Sequence, residues 1–161
     1  MDDQLDGVDF AVAAHRYHGD WRLYELAHDT LSDVETLSQA LTRFPGESGA
    51  IGLVAIDEDF FVVVRVLDGR TRVLLSDVTA AEEWELADSV TVFLGLPNLE
   101  ESDEPEPAGD LALLEDLGMS GADLAVLIDD DELYPDEVLS QVAVRLGFGQ
   151  HFDDIVGLTS A

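Results

Sequence analysis

The chain has 161 residues, of which 47% are hydrophobic, so it suits one ordinary domain, or a small domain with an appendage, and can bury a real core. Its 36 acidic residues against seven arginines give a formal charge of -29, which disfavours direct binding to nucleic acid or to an anionic membrane because both depend on Lys and Arg. Because the chain has no cysteine, no bilayer-length apolar run and an acidic start, MDDQLDGVDF, we expect a cytoplasmic protein without disulfides.

The first third of the chain predicts a hairpin and a helix. Segments 9–17 and 21–27 flank the turn-like HGD, which is typical of two antiparallel strands. Ser32 and Glu35 then form a capping-box pattern, and apolar residues recur at helical spacing after it. Pro45-Gly46 ends this predicted helix.

Three further strands are predicted at 50–56, 60–67 and 70–76. Asp68-Gly69 joins the last two, and this dipeptide favours a type I′ turn because both central residues need positive φ. A second S/T-x-x-E cap at 79–82 predicts another helix, whereas SVTVFLGL could be a strand or a continuation of that helix. The predicted class is α+β, with a five-stranded antiparallel sheet in the order β-β-α-β-β-β-α and helices on one face. By topological analogy with roadblock/longin-like and profilin-like modules, we expect the strand order 2-1-5-4-3.

The remainder of the chain predicts a linker and a helical segment. Residues 97–108, PNLEESDEPEPA, are rich in proline and acid and predict an exposed linker between a sheet domain, 1–96, and a C-terminal helical bundle, 109–161. Helices are expected in DLALLEDLG, in SGADLAVLI and in PDEVLSQVAVRLG. The sequence leaves open whether this bundle packs on the sheet.

Three of the seven arginines lie in the hairpin FFVVVRVLDGRTRVLLSD. A two-residue turn at Asp68-Gly69 places Arg65 directly opposite Arg72, on the same face as Phe61. Like charges in this position need an anion between them. That anion is either a carboxylate of the chain's own acidic tail or a carboxylate or phosphate of a partner, held by the arginine forks.

Other candidate sites are weaker. His15 and His18 would point to opposite faces of a strand and cannot share a metal ion, and we expect all four histidines at the surface or at a sheet edge. DDDELYPDE lacks the glycine and the final glutamate of a calcium loop. No catalytic motif is present, and we predict no cofactor and no metal. Trp84 is a candidate anchor for a partner, although a core position is the alternative.

Two stretches carry a resemblance. The hairpin FFVVVRVLDGRTRVLLSD and the tail AGDLALLEDLGMSGADLAVLIDDDELYPDEVLSQVAVRLG, which follows an acidic linker, resemble the tRNA adenosine deaminase-associated protein family of actinobacteria. The resemblance implies a genomic association with the tRNA-editing adenosine deaminase and no established activity or functional residues. A deaminase needs zinc ligands from H-x-E and P-C-x-x-C, and a chain without cysteine lacks them.

Several functions stay open at this point. The first is a non-enzymatic accessory whose acidic surface docks a basic partner such as the deaminase, with opposite charge speeding the encounter. The second is a nucleic-acid mimic that inhibits an RNA-binding enzyme. Others are an enzyme acting through the Arg65/Arg72 face and a stand-alone protein with an anion site there. The charge could also serve solubility alone, and a homodimer is compatible with the sequence.

Overall fold

The computed structural model describes residues 8–17, 19–44, 49–56, 60–82, 84–95, 107–130 and 132–156. Within these ranges the protein is a three-layer molecule, a single antiparallel sheet covered by helices on both faces. Most of the predicted linker 97–108 and the predicted helix stop at Pro45-Gly46 lie outside the described residues.

The sheet has six strands: β1 (Val8–Tyr17), β2 (Asp20–Glu25), β3 (Ala50–Ile56), β4 (Phe60–Leu67), β5 (Arg70–Leu75) and β6 (Ala108–Gly109). The expectation of five strands was wrong, because residues at the predicted junction of linker and bundle add a short sixth strand to the free edge of β5. A two-residue strand shows no alternation of polar and apolar side chains, and so leaves no period in the sequence.

The strand order is β2-β1-β3-β4-β5-β6, with every neighbouring pair antiparallel. The predicted order 2-1-5-4-3 was therefore wrong, since β3 and not β5 lies beside β1. After the first helix the chain returns to the open edge of β1, and the next two strands extend the sheet outward by consecutive hairpins. Burial along the whole of β3 fits this central place.

The turn between β4 and β5 has the predicted geometry. Asp68 has φ of 53° and Gly69 has φ of 79°, the two positive values that a type I′ turn requires. The resulting register pairs Leu67 with Arg70 and Arg65 with Arg72, as the sequence predicted.

The first face of the sheet is covered by α1 (Val34–Leu41) and α2 (Glu85–Leu94). The cap of α1 is Asp33, whose carboxylate accepts from the backbone N–H of Thr36 at 2.8 Å, so the predicted Ser32 cap was wrong by one residue. The pattern at 79–82 opens a 3₁₀ turn, and α2 begins only after it. Segment 89–96, whose type the sequence left open, is helical as far as Leu94.

The second face is covered by α3 (Gly121–Ile128), α4 (Pro135–Leu146) and α5 (Gly149–Val156). Their apolar stripes join the side chains of Ile51, Leu53 and Phe61 in a second core cluster. DLALLEDLG, predicted as a helix, instead forms turns and a short 3₁₀ helix. None of the helices in the described ranges has the length and apolar character that crossing a bilayer requires.

The alternation of the β4–β5 hairpin explains both clusters. Val62, Val64 and Val73 face α1 and α2, whereas Phe61, Val63 and Leu74 face the C-terminal helices. Phe61 lies on the same face as Arg65 and Arg72, as the two-residue turn predicted. Because both faces are covered, the strand β4 is almost entirely buried, and this includes its arginine.

Candidate functional site

Arg65 and Arg72 lie side by side on the second face, as the register predicted, and the segment 107–118 covers them. This segment begins with β6, which pairs with Leu74 and Leu75. The backbone N–H of Asp110 then donates to the carbonyl of Val73 at 2.9 Å and continues the sheet contact.

Gly109 permits this close approach. Its φ of 116° lies in the region that L side chains rarely adopt, and a Cβ at this position would stand 2.2 Å from the carbonyl oxygen of Val73. Beyond it, Leu113 and Leu114 are fully buried in the second core cluster and fasten the segment to the sheet. Backbone pairing and apolar burial therefore place the acidic residues of the segment next to the arginines.

Arg65 is the most deeply buried charged side chain in the described part of the molecule, with 1% of its surface exposed. Its Nη1 donates to the carbonyl of Leu113 at 2.9 Å and also to Oδ1 of Asp116. Its Nη2 donates to Oδ2 of Asp116 at 2.8 Å, so the carboxylate is bound by both terminal nitrogens. Such a fork is the strong, planar arrangement that arginine forms with carboxylates.

Arg72 binds the other acid of the segment. Its Nε donates to Oδ2 of Asp110 at 2.6 Å, and the second oxygen of that carboxylate accepts from the backbone N–H of Ala112 at 2.9 Å. Both partners are about one-third exposed, so water screens this pair more than it screens Arg65.

The ion pairs change the acidity of both carboxyls. The hydrogen bond from Arg72 is the main reason why the pKa of Asp110 lies below its usual value, against the opposing effect of burial. The hydrogen bond from Arg65 lowers the pKa of Asp116 in the same way. Both groups are therefore more firmly ionised in the folded chain than in the unfolded one.

Of the two anions that the sequence allowed between the arginines, the structure contains the chain's own. A carboxylate or phosphate of a partner would have to displace Asp116 to form a fork with Arg65, which is 1% exposed, whereas Arg72 is about one-third exposed and binds Asp110 through Nε. Chemically, the arrangement neutralises two opposed cations inside the fold and closes segment 107–118 over the sheet. No proximity in sequence identifies these partners, since 51 residues separate Arg65 from Asp116 and 38 separate Arg72 from Asp110.

Trp84 occupies the residue before α2 and is partly buried in the first core cluster. Its ring centroid lies 5.9 Å from that of Phe60, with the planes tilted by 55°. Its Nε1 is buried and has no hydrogen-bond partner within the described ranges. Much of the indole thus serves the core, and its use as an anchor for a partner stays a prediction.

Of the two histidines whose burial the structure describes, His15 differs from expectation. His15 is buried, with 3% of its surface exposed, and its ring stacks on Tyr24 at 5.6 Å and lies 5.3 Å from Phe44. The expected surface or edge position was wrong for His15 because β1 is an inner strand and aromatic side chains cover its end. His151 is exposed, and His18 lies outside the described residues. In the described part of the chain, no three His, Asp or Glu side chains are grouped as metal ligands.

Comparison with known proteins identifies the family. Residues 9–149 match the model of the Rv3753c-like tRNA adenosine deaminase-associated protein family, and the chain belongs to this family. It is 34% identical over 158 residues to Protein Rv3753c of Mycobacterium tuberculosis (strain ATCC 25618 / H37Rv), covering 96% of this chain and 90% of that protein. No solved structure matches. The family that the two sequence stretches suggested is thereby confirmed.

Proposed function

We propose that this protein is a non-enzymatic accessory that binds a tRNA adenosine deaminase through its acidic surface. The family's name describes association with that enzyme and supports a protein partner. The physical observation that carries the proposal is the way the fold uses its few cations: Arg65, Arg72 and Arg145 each bind an aspartate of the chain itself.

The consequence is a surface on which carboxylates dominate. Among the other arginines of the described ranges, Arg22, Arg43 and Arg70 are exposed. Exposed acids, in contrast, are distributed over both helical layers and the strand ends, as at Asp20, Glu35, Asp88, Glu115, Asp129 and Glu137. Such a surface repels tRNA and attracts a protein that carries a positive tRNA-binding surface. A partner that acts on tRNA would be consistent with the cytoplasmic location expected from the sequence.

The test is direct binding of the purified chain to the tRNA adenosine deaminase of the same organism. Calorimetry at about 50 mM and about 300 mM salt should show an affinity that falls as salt rises, because screening weakens opposite-charge docking. A chain that binds at neither concentration would overturn the proposal. Adding tRNA then separates two kinds of accessory. A ternary complex supports docking beside the RNA site, and displacement of the chain by tRNA indicates a mimic that shares that site.

A further inference from the structure

The two helices α3 and α4 form a groove on the outside of the second helical layer. Residues 129–134 connect them, and at the far end Arg145 Nη1 donates to Asp123 Oδ2 at 2.7 Å, so the helices run antiparallel. The groove has a volume of about 370 Å³ and is lined by Met119, Val126, Leu127, Gln141 and Val144 beside that ion pair.

The groove exposes apolar side chains on both of its walls. Val126 of α3 is 68% exposed and Val144 of α4 is 64% exposed, although α4 buries a separate apolar face against the sheet and α3 buries Leu124 in the second core cluster. Single exposed valines are common on protein surfaces. Two of them facing one concave site, with Met119 at its base, form the kind of surface that binds apolar side chains of another molecule.

The charge around the groove determines what kind of molecule fits. Between residues 120 and 137 the chain has seven acidic residues and no basic one. Asp129, Asp130 and Glu132 are exposed in the connection at one end of the groove, and Glu137 is exposed on the first turn of α4. The cation of the groove, Arg145, is already bound to Asp123. An acidic peptide or a phosphate would be repelled at this end, whereas Lys or Arg side chains would be attracted.

We propose that the α3–α4 groove is the docking site for a short amphipathic segment of the partner protein. Its apolar side chains enter between Val126 and Val144, and its Lys or Arg side chains lie against Asp129, Asp130 and Glu132. This is the groove mode of peptide recognition, in which apolar anchors supply affinity and flanking charges set orientation. The proposal rests on the proposed function, because the deaminase is the partner that the segment would belong to.

Variants with matched charge test the groove against the acidic surface as a whole. Val126→Arg and Val144→Arg place a bulky cation inside the groove. Val92→Arg makes the same substitution on the C-terminal turn of α2, on the opposite side of the sheet, where the valine is 71% exposed. All three change the net charge equally. Circular dichroism and thermal melting confirm that each variant is folded.

With the purified deaminase, the groove variants should bind at least about tenfold more weakly than wild type, the size of effect expected for a central contact, and Val92→Arg less than about threefold. If wild type binds and all three variants lose affinity equally, docking depends on the charge of the whole surface. The groove is then not the docking site, and the proposed function stands. If wild type does not bind, the proposed function fails, and the groove is judged by a second probe.

That probe is a labelled synthetic peptide of leucine and lysine, with leucine at helical i, i+3, i+4, i+7 spacing, followed by fluorescence anisotropy. Weaker binding to Val126→Arg than to Val92→Arg supports the groove whatever the deaminase does. Equal binding overturns it. Sedimentation equilibrium tests whether a second copy of the chain occupies the groove instead. A wild-type dimer that Val126→Arg dissociates and Val92→Arg does not would assign the groove to that second copy and overturn the proposal.

Discussion

Arg65 and Asp116 form a bidentate ion pair between the middle of the sheet and the segment that closes over it. The arginine is 1% exposed and the aspartate 54% exposed, so the pair is open to water only on the side of the carboxylate. Arginine in a fully buried strand position needs this partner, because an uncompensated guanidinium in an apolar core is costly. Segment 107–118 therefore has a structural role, because it supplies the carboxylate that pairs with the buried Arg65.

Removal of the carboxylate should show this dependence. Asp116→Ala removes the carboxylate that both terminal nitrogens of Arg65 bind and keeps the hydrogen bond from Arg65 to the carbonyl of Leu113. We expect a loss of about 1 to 3 kcal/mol in the free energy of unfolding, less than for a fully buried pair because water can reach the vacated side. Urea unfolding followed by circular dichroism measures the loss.

A matched control comes from the third ion pair. Asp123→Ala breaks the contact with Arg145, in which both side chains are about half exposed, and should cost less than about 1 kcal/mol. Equal losses for the two aspartates would contradict the structural role of Asp116.

Replacement of both members of the buried pair makes a second prediction. Arg65→Met removes the charge and keeps much of the side-chain volume, so the double variant Arg65→Met/Asp116→Ala has no buried ion to stabilise. It should be more stable than Asp116→Ala alone, since well-packed apolar residues often replace buried ion pairs without loss. The double-mutant cycle gives the coupling energy. A double variant that is less stable than Asp116→Ala would show that the charge of Arg65 does not limit stability.

The acidity of the two aspartates predicts a pH dependence. Because the hydrogen bonds from Arg72 and Arg65 hold the pKa of Asp110 and of Asp116 below the unfolded value, both groups stabilise the fold when ionised. This contribution is complete above the unfolded aspartate pKa of about 3.9 and is lost as the pH falls through the lower folded values. Wild type should therefore lose its advantage over Asp110→Asn/Asp116→Asn progressively as the pH falls below the unfolded aspartate value and through the lower folded values.

Urea unfolding at a series of pH values measures that advantage, and the two single variants show how it divides between the aspartates. An advantage that stays constant throughout acidification, or grows with it, would contradict the assigned direction.

The sequence determines the position of the two arginines but not the identity of their partners. The Asp68-Gly69 turn specifies the hairpin register, so the opposition of Arg65 and Arg72 could be predicted from local geometry alone. The identity of their partners could not, because 36 acids offer candidates and the choice depends on where Leu113 and Leu114 bury. Packing of residues far away in sequence therefore determines that Asp110 and Asp116 are the partners.

In the fold, too, local features could be predicted from the sequence and long-range ones could not. Strand existence and face alternation follow from periodicity, which is why both core clusters have the predicted hairpin residues. Strand order is a long-range property: β1 can pair equally well by local criteria with β3 or β5, and analogy with another topology selected the wrong neighbour. The start of α1 is shifted by one residue because Ser32 ends the preceding 3₁₀ helix in αR conformation, which leaves Asp33, in the extended conformation of an N-cap, to accept from Thr36.

Gly109 should be intolerant of any side chain. Gly109→Ala would place a methyl group against the carbonyl oxygen of Val73 and also force positive φ on an L residue. We expect a loss of more than about 3 kcal/mol and release of β6 from the sheet edge. Gly95→Ala is the control, because Gly95 has φ of 73° but nothing within 4 Å of the added atom, and should cost about 1 to 2 kcal/mol.

Hydrogen exchange at the backbone N–H of Asp110, which donates to the carbonyl of Val73, measures whether the segment stays paired with β5. Losses of similar size in the two glycine variants, with protection retained at Asp110, would show that β6 is not held by this close approach.

Substitutions of Trp84 can distinguish a role in core packing from a role as an anchor for a partner protein. Because its Nε1 is buried without a partner in the described ranges, Trp84→Phe removes a polar group that no contact there satisfies and keeps an aromatic ring beside Phe60. Its free energy of unfolding should lie within about 1 kcal/mol of wild type, whereas Trp84→Ala should lose about 2 to 4 kcal/mol through lost packing. A Trp84→Phe variant as unstable as Trp84→Ala would contradict the expectation that the indole N–H contributes little to stability. If both variants stay stable but lose affinity for the deaminase, the residue acts as an anchor for the partner.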